Sequence, residues 1–174
     1  VYFEMKISHV FLFLFLVKTT YSQNTFVENK GQLPVNVLCK AHLPSGDLYI
    51  EEGKFTYVFY NQNQIKESHN STTTRDYIDA HSYKVYFVNS NENTTFSLDS
   101  ASTYYKNYFI GNKDGWVNNV KTYKRYTQKE IYKGIDLVMF SAENKLKYEL
   151  HLQPNASVKD IKIEYDGLES IDIL

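Results

Sequence analysis

The stretch Lys145–Leu152, KLKYELHL, decides the fold class of this 174-residue chain. Its apolar and polar side chains alternate strictly. The apolar positions are Leu146, Tyr148, Leu150 and Leu152, and the polar positions between them are Lys147, Glu149 and His151. A β-strand that buries one face and leaves the other in water requires this period of two. We therefore predict a half-buried strand here.

The same period of two recurs along the chain and predicts an all-β fold. It is found in GKFTYVFYN (53–61), HSYKVYFVN (81–89) and DIKIEYDG (160–167), and a hairpin turning near Asn144 is predicted within 134–150. The run NNVKTYKRYTQKEIY (118–132) has some helical spacing, but its aromatic and β-branched content favours extended structure. The polar segment 61–79 predicts a long exposed loop. We expect antiparallel sheets in a sandwich-like arrangement.

Composition limits the class of protein. Aromatic residues make up 16% of the chain, which is ample for a buried core. The net charge of -1 gives no general attraction to nucleic acid, so no nucleic-acid partner is expected. The single cysteine, Cys39, cannot form an internal disulfide, and its apolar surroundings indicate a small buried side chain.

The N-terminal residues predict export. Residues 1–4 read as an upstream remnant, and residues 5–22 read as a signal peptide with the apolar run VFLFLFLV at 10–17. We predict cleavage after Ser22, which leaves Gln23 as the mature terminus and an extracellular or cell-surface location. The apolar run is too short to span a bilayer, so no membrane-spanning segment is expected. Residues 23–174 form one β-rich domain, and the final IDIL predicts a further strand and an incomplete C-terminus.

Three blocks of sequence resemble a known type of domain. They are TFVENKGQLPVNV (25–37), NYFIGNKDGWVNNVKTYKRYTQKEIYKGIDLVMF (107–140) and LKYELHLQPNASVKDIKIEYDGLESIDI (146–173). In this order they are similar to the uncharacterised N-terminal domain of exported surface proteins from gliding Bacteroidota-type bacteria. In such proteins the domain precedes SBBP repeats, Ig-like modules and a sorting domain for type IX secretion. The resemblance implies downstream modules of the same polypeptide as partners.

Two short motifs mark that domain, and the resemblance gives neither a catalytic role. The first is Glu28, Asn29, Lys30, Gly31 and Gln32, and the second includes Gly134, Ile135, Asp136 and Leu137. Asn155 stands where the family commonly has a turn glycine. Asparagine tolerates left-handed backbone geometry, so we expect the turn to survive.

No catalytic or metal-binding motif stands out, and no cofactor is expected. The adjacent Glu51 and Glu52 point to opposite faces of a strand, so they cannot act as an acid–base pair there. One possible ligand surface interleaves cations with tyrosines, which can stack on sugars or bases. It comprises Lys121, Tyr123, Arg125 and Tyr126. A solvated strand face with inward tyrosines is the favoured alternative.

These observations favour a non-enzymatic module of a secreted or cell-surface protein. Adhesion, gliding-associated surface display and contact with surface glycans are the expected roles. One alternative is an accessory, carbohydrate-binding module of a larger secreted hydrolase. Another is a processed N-terminal region that assists folding or export.

Overall fold

The computed structural model describes residues 25–70, 77–92, 94–142 and 145–172, and ten antiparallel strands dominate these ranges. The strands are β1 (Phe26–Glu28), β2 (Val37–Leu43), β3 (Gly46–Glu51), β4 (Lys54–Tyr60), β5 (Ala80–Phe87), β6 (Phe96–Tyr108), β7 (Val117–Tyr132), β8 (Ile135–Ala142), β9 (Lys145–Leu152) and β10 (Ile163–Asp166). The described helices are α1 (Gln62–Asn70) and two 3-10 turns, Lys113–Gly115 and Val158–Asp160. The predicted all-β, antiparallel class is confirmed. The predicted signal peptide, its cleavage site at Ser22 and Gln23, and Asn144 lie outside the described residues.

All ten strands belong to one sheet. Its order is β10-β5-β4-β3-β2-β1-β7-β8-β9, and β6 pairs with the other edge of β7. The short strand β1 joins the two halves, because Phe26 lies opposite Ala41 of β2 on one side and Tyr123 of β7 on the other. Beyond this point β7 pairs with β8, beginning at Arg125 opposite Phe140.

The sheet curls so that its two halves face each other. The rings of Phe55 in β4 and Tyr148 in the edge strand β9 have centroids 6.1 Å apart, although many strands separate them in the sheet. One continuous sheet therefore provides the two facing layers that the sandwich prediction assigned to separate sheets. Right-handed strand twist favours such curling in large sheets.

The core lies between the facing halves. Its fully buried side chains include Phe26, Leu48, Ile50, Tyr126 and Leu137. Cys39 is buried in the same cluster, and burial raises the pKa of its thiol. The thiol therefore stays protonated and packs as a small apolar group.

The segment predicted as a loop, 61–79, contains a helix. Helix α1 starts after Asn61, whose side-chain oxygen accepts hydrogen bonds from the backbone N–H groups of Asn63 (3.2 Å) and Gln64 (3.3 Å). The Gln64 side chain then bonds Asp79 twice, through its backbone N–H and its carboxylate. The loop prediction was wrong for residues 62–70, because a capping asparagine satisfies the first helical donors in a polar sequence.

The strand predicted at the C-terminal IDIL is absent from the described part of that stretch. Residues 170–172 have no regular structure, and Ile171 is 56% exposed. The left-handed geometry expected at Asn155 is confirmed by its φ of 73°.

Candidate functional site

Asn29 of the first motif organises the loop between β1 and β2. Its Nδ2 donates to the carbonyls of Leu33 (3.4 Å), Pro34 (3.0 Å) and Val37 (2.7 Å). Its Oδ1 accepts from the backbone N–H groups of Gly31 (3.0 Å) and Leu33 (3.2 Å). One side chain thus bonds five backbone groups of the loop, of which the Pro34 carbonyl also accepts from the Val37 N–H.

The neighbouring motif residues fasten this loop to itself and to β7. The Gln32 amide donates to the Glu28 carbonyl and accepts from the Lys30 N–H. Glu28 accepts from the backbone N–H of Lys121 at 2.7 Å and from the Tyr123 hydroxyl at 3.3 Å. The Lys30 ammonium donates to backbone carbonyls of β7. This motif therefore builds the fold.

We predict that Asn29→Ala destabilises the protein by about 2 kcal/mol, because several backbone groups of the loop lose their partners at once. Urea denaturation measures the change in the free energy of unfolding. Asn118→Ala, at an exposed position of β7, is the matched control and should change it by less than about 0.5 kcal/mol. Equal effects from the two substitutions would contradict the role assigned to Asn29.

Asp136 of the second motif stabilises the part of β7 where the register with β8 shifts. Its carboxylate accepts from the Lys129 ammonium at 2.7 Å and from the backbone N–H of Glu130 at 2.9 Å. Glu130 has a left-handed φ of 54° and lies where the register between β7 and β8 shifts. Burial alone would raise the pKa of Asp136, but these hydrogen bonds outweigh it and hold that pKa below its usual value.

The other residues of the second motif form the turn and the core beyond it. Gly134 has a left-handed φ of 70° in the tight connection from β7 to β8. Ile135 and Leu137 are fully buried. Both family motifs are therefore structural in this fold.

The ligand surface predicted on β7 does not form as one surface. Lys121 and Arg125 are exposed, and Tyr123 is half-buried against Glu28. Tyr126 is 0% exposed, packs 6.1 Å from Phe26 and bonds the buried Gln128. Tyr126 therefore cannot belong to a ligand surface, because adjacent residues on a strand point to opposite faces and its face is the core. Its burial agrees with the favoured alternative of an inward tyrosine on a solvated strand.

A different group of aromatic side chains forms an accessible surface. We call it the aromatic cleft, and it consists of Tyr57, Phe59, Tyr83, Tyr148 and Tyr165. Tyr57 lies directly across from Tyr83 in the sheet, and their rings stack with centroids 4.7 Å apart and planes 11° apart. Phe59 is nearly parallel to both rings, at 6.3 Å from Tyr57 and 6.1 Å from Tyr83.

The edge strands complete the aromatic cleft. Tyr165 of β10 lies opposite Val85, so it shares the face of Tyr83. Tyr148 of β9 reaches the same place, since its phenol lies close enough to that of Tyr165 for Tyr165 to contribute to its raised pKa. Tyr148 and Tyr165 are each 40% exposed, which leaves this end of the inner face open to solvent.

The phenols of Tyr57, Tyr83 and Tyr148 in the aromatic cleft remain neutral. Burial raises the pKa of Tyr57, and the nearby Tyr83, Tyr148 and Tyr165 phenols raise it further. Burial likewise raises the pKa of Tyr83 and of Tyr148. Each hydroxyl can therefore donate and accept hydrogen bonds at neutral pH. Flat apolar faces and several neutral hydroxyls thus converge in one open site.

Sequence alternation already placed four of these tyrosines on the apolar faces of their strands. Alternation did not reveal the site, because we assumed that every side chain on the inner face is fully buried. The available signal was the residue type: a buried tyrosine needs a partner for its hydroxyl, whereas leucine or valine does not. Four tyrosines at such positions indicate an inner face that is partly wet.

Two further observations limit the site chemistry. In the described ranges, His, Cys, Asp and Glu side chains nowhere gather in threes around a possible metal position. Helix α1 is short and polar, and no described helix has the length and apolar character to cross a membrane.

Comparison with known proteins gives one match. A family model described as a domain of unknown function, DUF7948, matches residues 26–174. No curated protein and no solved structure matches the chain.

Proposed function

The chain belongs to the DUF7948 family of domains of unknown function, and from this premise we propose that it is a non-enzymatic, exported module that binds neutral glycans through the aromatic cleft. The observation that carries the proposal is the convergence of three stacked, half-buried rings with two tyrosines that are each 40% exposed, at one end of the inner face. The residues predicted on β7 have no part in it.

The chemistry of the aromatic cleft favours a sugar polymer as ligand. The apolar face of a pyranose ring can pack on a tyrosine ring, and its hydroxyls can exchange hydrogen bonds with the phenols. The five side chains are four tyrosines and one phenylalanine, with no carboxylate, amine or imidazole among them, which favours neutral sugars. The stacked rings of Tyr57, Phe59 and Tyr83 lie beside the exposed Tyr148 and Tyr165, so the cleft extends over several aromatic side chains, which suits a chain of linked sugars.

The cellular part of the proposal rests on the sequence. The resemblance to surface proteins of gliding bacteria supports adhesion or gliding-associated display, with downstream modules and type IX sorting in the same polypeptide. A carbohydrate-binding unit attached to a hydrolase would use the same cleft. A catalytic domain elsewhere in the polypeptide would favour that second role.

Binding is tested by affinity electrophoresis against soluble neutral polysaccharides, such as glucans, mannans and xylans. We expect at least one of them to retard the protein. Tyr83→Ala should weaken that binding at least about tenfold, since it removes the central stacking face. Tyr165→Ala, at a less buried position, should weaken binding in the same direction.

Tyr105→Ala is the matched control, because Tyr105 is 61% exposed on β6 and lies outside the cleft. It should leave binding unchanged, and circular dichroism verifies that all variants are folded. The proposal fails if no neutral polysaccharide is bound, or if Tyr105→Ala weakens binding as much as Tyr83→Ala.

Export makes a separate prediction. Mass spectrometry of the protein secreted by a bacterial host should find Gln23 at the mature N-terminus, because a small residue at Ser22 suits cleavage there. A precursor retained in the cytosol would contradict export and leave the binding proposal to be judged by its own test.

A further inference from the structure

A cavity of about 300 Å³ lies where three segments that are distant in sequence meet. The first segment (89–91) follows β5, the second (132–133) connects β7 to β8, and the third (159–162) leads into β10. No residue of the aromatic cleft lines this cavity. We call it the lysine cavity, and it is a second candidate site.

The wall of the lysine cavity carries an excess of positive charge. Its basic residues are Lys133, Lys159 and Lys162, and one acidic residue, Asp160, lies among them. In the part of the chain that the structure describes, none of the three ammonium groups lies within ion-pair distance of a carboxylate. Three lysines against one aspartate leave two uncompensated positive charges, although the chain as a whole has a net charge of -1.

Hydrogen bonds join the three segments to one another. Tyr132 is 3% exposed, and its hydroxyl lies 2.9 Å from the Lys162 carbonyl oxygen and 3.3 Å from that of Val88. The Val88 N–H donates to the same Lys162 carbonyl at 2.9 Å, and the Asn91 N–H donates to the Ile131 carbonyl at 2.8 Å. The backbone around the cavity is therefore fixed before a ligand arrives, which reduces the entropy lost on binding.

The chemistry of the wall favours a phosphate group. Ammonium groups that lack counter-charges repel one another, and an anion between them relieves that repulsion. Lysine is a common phosphate ligand, because its ammonium presents three N–H donors to the phosphate oxygens. The exposed side-chain amide of Asn89 can add neutral donors. A phosphate monoester carries nearly two negative charges at neutral pH, which matches the excess on the wall.

We propose that the lysine cavity binds a phosphate monoester, with Lys133, Lys159 and Lys162 as its charged ligands. This inference does not depend on glycan binding in the aromatic cleft. Free phosphate and the phosphate group of a sugar offer the same chemistry to the lysines. The volume of about 300 Å³ is at the lower end of the range for small-molecule sites, which suits a sugar phosphate.

The test is isothermal titration calorimetry of the full chain at low ionic strength with inorganic phosphate, glucose 6-phosphate and glucose. We expect glucose 6-phosphate to bind at least about tenfold more tightly than glucose, because only the former carries the charged group. Equal affinity for inorganic phosphate would show that the phosphate alone is recognised. A higher affinity for glucose 6-phosphate would show that the sugar also contributes.

Lys133→Gln and Lys159→Gln should each weaken the binding of glucose 6-phosphate at least about fivefold, because each removes one charge from the cavity. Lys121→Gln is the matched control, since it removes the same charge from an exposed position outside the cavity. It should change the affinity less than about twofold. Tyr83→Ala should leave this affinity unchanged, which separates the lysine cavity from the aromatic cleft.

Asp160→Asn provides a test that misfolding cannot imitate. It removes the acidic residue from the cavity wall, so glucose 6-phosphate should bind severalfold more tightly. The inference is overturned if neither phosphate compound binds, or if glucose binds as tightly as glucose 6-phosphate. It is equally overturned if Lys133→Gln, verified as folded by circular dichroism, weakens binding no more than Lys121→Gln, or if Asp160→Asn does not tighten it.

Discussion

Gly46→Ala is expected to destabilise the protein by about 3 kcal/mol or more, because the added methyl group has no space. A Cβ at this position would lie 1.9 Å from the Val58 carbonyl oxygen and 2.9 Å from the Phe59 Cα. Both atoms belong to the backbone of β4, which pairs with β3 at this point. No side chain can rotate away to relieve the clash, so the two strands must separate.

Chemical denaturation followed by circular dichroism measures this loss. Gly115→Ala is the matched control, because the nearest atom to its Cβ would be the Ile110 carbonyl oxygen at 3.9 Å. It should change the free energy of unfolding by less than about 1 kcal/mol. If Gly46→Ala were as stable as Gly115→Ala, the close pairing of β3 and β4 would be incorrect.

Phe26→Ala is expected to cost about 3–5 kcal/mol, the usual loss for truncating a buried phenylalanine. Phe26 is 0% exposed and packs against Tyr126. It also lies on the three-residue strand that joins β2 to β7, so its loss weakens the connection between the two halves of the sheet.

Phe109→Ala provides the comparison for the same change of residue type. Phe109 is 58% exposed, and its ring contacts Trp116 with centroids 5.0 Å apart. This substitution should cost about 1 kcal/mol or less. A similar loss in both variants, measured by thermal or urea unfolding, would argue against Phe26 as a core residue.

Local sequence predicted the strands in which the alternation or the type of the side chains indicates which face is buried. The alternation in 145–152 predicted β9, and β-branched and aromatic content correctly favoured a strand in 118–132. Phe26 and Val27, at the start of the first block that carries the resemblance, are both fully buried in a strand that is paired on both sides.

Other elements depend on partners that local sequence does not reveal. Strand β6 runs from Phe96 to Tyr108 but exposes most of its residues on both faces, so it has no clear period of two. Its length comes from pairing with β7. Helix α1 likewise owes its start to the Asn61 cap and its position to Gln64 and Asp79.

The candidate site depends still more on long-range geometry. The aromatic cleft joins residues from β4, β5, β9 and β10, and only the curl of the sheet brings β9 to the others.

Glycan binding in the aromatic cleft can be tested residue by residue in a carbon–proton NMR titration of protein with isotope-labelled tyrosine rings. The titrant is an oligosaccharide derived from a neutral polysaccharide that retards the protein in affinity electrophoresis. We expect the ring signals of Tyr57, Tyr83, Tyr148 and Tyr165 to shift together on binding, while those of the exposed Tyr104 and Tyr105 stay in place. Shifts confined to Tyr104 and Tyr105, or no shifted ring signal at saturating sugar, would contradict a glycan site in the aromatic cleft.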